Sequence, residues 1–322
     1  MIALIIAQIL YAAGIFPIAS AIDGWIYHSL GHQQDRFSYY AHLSHQINSF
    51  GNIISGIIGI ATIYYSRQYF MGYIISGIMM GVIFFIFLII PEEKTFVREG
   101  PKTKNILQNA KETLWVFKNI VGGVWFILLM CLFSAGIQVI YHFWQPIILC
   151  GGKISHLNTS QMLTLMFCHI GAFSAQYISN LLMSKYHVLD KKYKDYIKYF
   201  SFFSALMRIA LYFFVHSNQT ALAIITFSLI HGFICTVPIG AKSLFFSELN
   251  QKQTGHISGI IGAVSFSGRI FSITVLSAIS FLPAKISPSC YLILPTLTFF
   301  MCGLVTIKWM LLSGKSILKK TI

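Results

Sequence analysis

Long apolar runs limit what this chain can become more than any other feature. Nine stretches, roughly 2–22, 46–65, 69–91, 120–148, 160–183, 196–216, 219–245, 256–282 and 288–312, are almost free of charge. About 20 such residues in a helix match the hydrocarbon thickness of a bilayer. Inside hydrocarbon each backbone N–H and C=O must be satisfied by the chain itself, which leaves only helices or a closed barrel. The runs are continuous rather than ten-residue alternations, so strands are excluded. Composition agrees: 10% of residues are charged, against about 25% in a soluble domain. That charge cannot keep 28 Phe and 16 Tyr in water. The expected fold class is all-α, a polytopic membrane bundle of about nine transmembrane helices, with the lipid bilayer as its first partner.

The net charge of +14 does not form a nucleic-acid-binding face, because the basic residues fall in short runs between apolar stretches. Counting them gives the orientation. Alternate loops hold Arg36; then Lys94, Arg98, Lys102, Lys104, Lys111 and Lys118; then Lys185, Lys191, Lys192, Lys194 and Lys198; then Lys252; and the tail holds Lys315, Lys319 and Lys320. The opposite loops hold only Arg67, Lys153 and Lys285. The C-terminus is therefore expected in the cytoplasm and the N-terminus outside. The first run has no basic stretch before it and is too long for a signal-peptide core, so it is expected to remain as a span. The cysteines (Cys131, Cys150, Cys168, Cys235, Cys290, Cys302) show no CxxC and no metal spacing, and the scattered histidines form no ligand cluster. No cofactor is expected.

The longest polar connection, 92–119, divides the chain into an N-terminal part of three spans (1–91) and a C-terminal part of six (120–322). Within it Leu107, Ala110, Leu114 and Phe117 repeat at helical spacing, with Lys104, Lys111 and Lys118 on another face. That pattern suits a helix lying on the cytoplasmic surface, either a tether or a regulatory segment.

Three local motifs stand in this frame. Ser20-Ala21-Ile22-Asp23-Gly24-Trp25-Ile26-Tyr27-His28-Ser29-Leu30 runs from small residues into an acidic-x-Trp-x-Tyr-x-Ser-Leu pattern. Tyr141-His142-Phe143-Trp144-Gln145-Pro146 closes the fourth span, and Asn180-Leu181-Leu182-Met183-Ser184-Lys185 closes the fifth. Three spans, a long basic loop and six spans, with these motifs, resemble the bacterial efflux-like group of the major facilitator superfamily without its first three helices. That superfamily is built from three-helix repeats in two six-helix halves. His28 stands where that group carries an acid, and Asn180 where the loop motif begins with glycine. The resemblance implies a secondary transporter in the cell membrane, for this group the bacterial inner membrane, moving a small solute by alternating access. It also implies that the fourth and seventh spans correspond to cavity-lining helices.

Polar residues inside spans narrow the candidates, because each charge at the bilayer centre costs roughly 2.5–3.5 kcal/mol on insertion scales. The spans carry Asp23, Arg208, Lys242 and Arg269, with Lys308 near enough to a cytoplasmic end to snorkel. Gln138, Tyr141, His142 and Gln145 share one face of the fourth span, as a cavity lining or as a hydrogen-bonding seam. His231 and Cys235 lie in the seventh span, and His169, Gln176 and Asn180 share a face of the fifth. The expected cavity set is Gln138, Tyr141, His142, Gln145, His169, His231 and Arg269. Arg269 is expected to point into the bundle and to meet carbonyls or an anionic solute.

A weak internal repeat pairs Gly51, Ile53 and Ser55 with Gly268, Ile270 and Ser272, and Asp23 with Lys242. Asp23 and Lys242 then form either a cytoplasmic gate or two charges that snorkel to the surface. No GxxxxGK[ST] loop is present to drive an ATP-dependent pump. The rival readings are a non-transporting membrane partner protein and an integral-membrane lipid-modifying enzyme, for which no carboxylate pair is found.

Overall fold

The computed structural model describes residues 30, 34–66, 70–89, 122–149, 158–185, 189–247, 270, 271, 274 and 291–320. Among these residues the chain is helix with short turns and no strand. The helices are α1 (Gln34–Ser66), α2 (Phe70–Ile89), α3 (Gly123–Ile148), α4 (Thr159–Lys185), α5 (Leu189–His216), α6 (Thr220–Ile234), α7 (Thr236–Ser247) and α8 (Ile293–Lys320). The expected segments 2–22 and most of 256–282 lie outside the described residues, as does the loop 92–119; every other expected segment coincides with described helix.

Among the described residues five stretches are long and apolar enough to cross a membrane: Tyr39–Ser66, Gly123–Tyr141, Asp195–His216, Thr220–Ser243 and Ile293–Leu312. The outer faces agree with a membrane protein. Phe50, Ile58, Phe85, Phe167, Leu206, Phe213 and Leu297 are all exposed. So broad an apolar surface is foreign to a soluble monomer and ordinary against lipid.

Packing runs as a chain of neighbours. α4 lies between α1 and α6, α6 packs on α5, α5 on α8, and α8 on α3. α3, at one end of this chain, turns back onto α6, where Trp144 stacks on Phe227 with ring centroids 5.6 Å apart. α2 has α1 as its principal neighbour. One end of the bundle is closed by Phe126, stacked at 4.2 Å on Phe245 and edge-on at 6.2 Å to Trp309. Gly122 starts α3 at φ 93°, a left-handed backbone that glycine adopts freely, and a Cβ there would collide with the Trp309 indole nitrogen.

Two prolines shape the helices. Pro238 lacks an N–H and its ring crowds the carbonyl four residues back, which is Ile234, the last residue of α6; the helix breaks there and resumes as α7. Pro146 sits in the last turn of α3. α4 starts on a reciprocal cap, in which Asn158 Oδ1 accepts from Gln161 N at 2.8 Å and Gln161 Oε1 from Asn158 N at 3.1 Å.

α1 begins at Gln34, where the sequence leads to a polar connection as far as residue 45. Its 33 residues make it about 50 Å long. The added turns carry His42, and their polarity is absorbed by α4.

Candidate functional site

The face that α1 turns to α4 is polar. His42, Gln46 and Ser49 are spaced i, i+4 and i+7 and lie on one side of the helix; all three are buried. α4 answers with Gln176, Asn180 and Ser184, also buried. Asn180 Nδ2 donates to Gln176 O at 2.8 Å and to Cys235 Sγ at 3.3 Å. Its Oδ1 is thereby left as acceptor, 2.9 Å from His42 Nδ1, so His42 carries its proton on Nδ1. Gln46 Nε2 donates to Ser184 Oγ at 3.0 Å. Nearer the far end of α1, His169 Nε2 donates to the backbone carbonyl of Asn52 at 2.8 Å. The helices approach closely there because residue 56 is glycine: a Cβ on Gly56 would run into the His169 ring.

Small residues with polar side chains between them are how helices adhere in lipid, where apolar surfaces gain nothing by meeting. Each such hydrogen bond contributes about 0.6 kcal/mol on average and up to about 1.7.

The seam continues inward to α6. Gln176 lies 3.5 Å from Ser49 Oγ through its Oε1 and donates through Nε2 to His231 Nδ1 at 3.1 Å. With that bond, the His231 proton sits on Nε2, which is buried and has no hydrogen-bond partner among the described residues. Around this imidazole stand Phe227 at 4.6 Å, Tyr141 at 6.1 Å and Phe173 at 6.4 Å, ring centroid to centroid. His169 packs on Phe173 at 4.7 Å and lies 6.4 Å from Trp144. Histidine, aromatic and amide side chains from α3, α4 and α6 thus form one cluster at mid-depth.

Of the residues expected to line a cavity, Tyr141, His169 and His231 are brought together in this cluster. Gln138 is buried on the same face of α3, and Gln145 is half-buried one turn beyond Tyr141. The side chain of His142 lies outside the described residues, as do Asp23 and Arg269; Lys242 is half-buried on α7. His42, Gln46, Ser49 and Asn52 were not legible as site residues, although their spacing of four, three and three was available as a signal. Trp144, Phe173 and Phe227 complete the cluster as aromatic walls.

Within the cluster Gln176 and His231 are buried and Tyr141 is exposed. A cleft of about 190 Å³ lies at the helix ends, lined by Ser160, Gln161 and Thr164 of α4, Thr220 of α6 and Asn218 between α5 and α6. Thr164 is five residues from His169, roughly 8 Å along α4. Among the described residues no group of His, Cys, Asp and Glu is arranged to hold a metal ion.

A second polar group lies between α5 and α8. Arg208 is fully buried. Its Nη1 donates to Ser204 O at 2.8 Å and to Ser204 Oγ, and its guanidinium lies 4.0 Å from the centre of the Phe299 ring.

No family model matches the chain, and no curated protein matches it.

Proposed function

We propose that this chain is a secondary transporter of the major facilitator type, moving a small solute across the cell membrane by alternating access. The observation that carries the reading is the mid-depth cluster of Gln138, Tyr141, His169, Gln176 and His231, set within otherwise apolar helices. Hydrogen-bonding amides and hydroxyls join helices in lipid, but ionisable side chains there, such as His169 and His231, mark solute paths by default. In this reading the nine spans run with the C-terminus in the cytoplasm of a bacterial cell. The cleft at the helix ends is the outer approach to the cluster, closed below by Trp144, His169 and Phe227. Asp23 and Lys242 close the cytoplasmic side, and Arg269 faces the same interior as His231. A helix held to its neighbour by hydrogen bonds suits a joint that must slide, since donors and acceptors exchange partners more readily than interlocked side chains repack.

Cysteine accessibility tests this. In a background with the native cysteines replaced, Tyr141→Cys is labelled with a membrane-impermeant thiol reagent applied to right-side-out or inside-out vesicles. Labelling from each side in turn is expected; labelling from one side only, whatever solute is present, would refute alternating access. A second reading is a non-transporting partner protein. It is favoured by α1, whose Ile47, Phe50 and Tyr65 are 67%, 58% and 83% exposed, a broad face for another membrane helix. Co-purification of a stoichiometric membrane protein together with one-sided labelling is its signature.

A further inference from the structure

Arg208 uses one of its three nitrogens. Nε and Nη2 are buried and have no hydrogen-bond partner among the described residues. Ser201, on the same face of α5 as Ser204 and Arg208 by its i, i+3, i+7 spacing, is fully buried with its hydroxyl equally unpartnered. His231 Nε2 is another such group. Depth agrees. Arg208 is eight residues from His216 at the end of α5 and reaches back to Ser204, while His231 is eleven residues into α6. At 1.5 Å per residue both groups sit roughly 15–18 Å from the same end of the bundle.

Among the described residues no acceptor meets these donors. Among the described residues the acids are Asp35, Asp190 and Asp195. The first two stand in the opening turns of α1 and α5, and Asp195 pairs with Lys198 at 2.9 Å. None lies at the depth of Arg208. The ring of Phe299 offsets part of the charge, but a π face accepts no N–H in the guanidinium plane. A buried donor left unmade is costly, more so when charged. A water molecule would accept the bonds and leave the charge uncompensated in a low-dielectric interior.

We propose that the bundle interior binds an anionic group against Arg208, with Ser201 and His231 as its further donors. The group is either a small free anion or the anionic end of the solute. In the second case the inference deepens the transport reading and rests on it; in the first it stands without it.

The test is thermal unfolding of the purified full chain in detergent. Sodium chloride, acetate and phosphate are titrated at constant ionic strength against sodium gluconate, whose anion is too bulky for so closed a space. A saturable rise in Tm is expected, lost in Arg208→Gln and kept in Lys308→Gln, which alters an exposed lysine. Ser201→Ala, a milder change for use where Arg208→Gln does not fold, is expected to weaken the apparent affinity about threefold to tenfold, as the loss of one hydrogen bond does. Saturable binding of the small anions assigns the free-anion source. If they have no effect, counterflow in liposomes loaded with matched anionic and neutral solutes decides: flux confined to anions and dependent on Ser201 assigns the solute. A linear response equal in wild type and variants, with no preference for anionic solutes, overturns the proposal. The binding arm needs no flux, so failure of transport leaves it readable. Conversely, transport of neutral solutes unaffected by Ser201→Ala sinks the anion and leaves transport intact.

Discussion

Replacing Asn180 by leucine, close to it in shape, tests whether hydrogen bonds rather than packing join α1 to α4. Asn180 accepts from His42 and donates to Gln176 O and Cys235 Sγ. Leucine removes all three bonds and strands the His42 Nδ1–H in a buried site where Nε2 already has no partner. Helix–helix bonds in a bilayer average about 0.6 kcal/mol each, and an abandoned buried donor adds about 1–3 kcal/mol. The single change should therefore cost about 3–5 kcal/mol, of which the orphaned imidazole is about 1–3 kcal/mol. His42→Leu alone should cost about 1 kcal/mol, since Asn180 keeps its other two bonds. In the double variant no donor is stranded, so the loss should fall below the sum by about 1 kcal/mol or more, the range expected of residues in contact. Unfolding of the purified protein in mixed micelles with increasing denaturing detergent measures all four corners of the cycle. Additive losses would refute the reasoning, because they would mean that His42 and Asn180 do not depend on one another and that apolar packing holds α1.

Other consequences are as direct. Gly56→Ala is expected to push α1 away from His169 and cost about 1–3 kcal/mol, as overpacking does, and to lower the yield of a Ser49→Cys/Gln176→Cys disulfide cross-link. Phe299→Leu should remove the cation–π contact to Arg208 and destabilise the protein by about 2 kcal/mol, read as a lower midpoint in the same titration; an unchanged midpoint would show that the ring only fills space. Pro238→Ala supplies a backbone N–H for the Ile234 carbonyl and should lengthen α6 into α7, raising thermal stability while slowing any transport cycle measured by flux. Asp23→Lys and Lys242→Asp should each impair flux and together restore much of it; a double variant no better than the worse single one removes the gate.

Membrane character and helix positions were legible because run length alone carries them: an apolar stretch of twenty residues has few other fates. The α4 stripe of His169, Gln176 and Asn180 was legible too, since intervals of seven and four put side chains on one face. Its counterpart on α1 was not. Gln33, Gln34, Asp35 and Arg36 make that region resemble a loop, and the hydropathy that finds a span falls wherever a polar face is buried against another polar face. The signal for burial and the signal for a connection are then the same residues, and only the spacing of His42, Gln46 and Ser49 distinguishes them. Arg208 is the opposite case. It was legible as an intramembrane charge, but its stack on Phe299 and its empty donor sites depend on a residue far along the chain.

The polar seam also bears on how the protein is made. His42 and its partner Asn180 are 138 residues apart in sequence. At about 5–20 residues per second of synthesis, α1 leaves the ribosome roughly 7–28 s before the residues that satisfy it. During that interval the α4 residues that accept the polar face of His42, Gln46 and Ser49 do not yet exist. The stretch Tyr39–Ser66 is apolar enough to cross a membrane, so α1 can enter before its partner, and the α1–α4 hydrogen bonds then form as a later docking step between two helices already in place. A chain interrupted before Asn180 would carry α1 with the polar face that α4 normally covers left open.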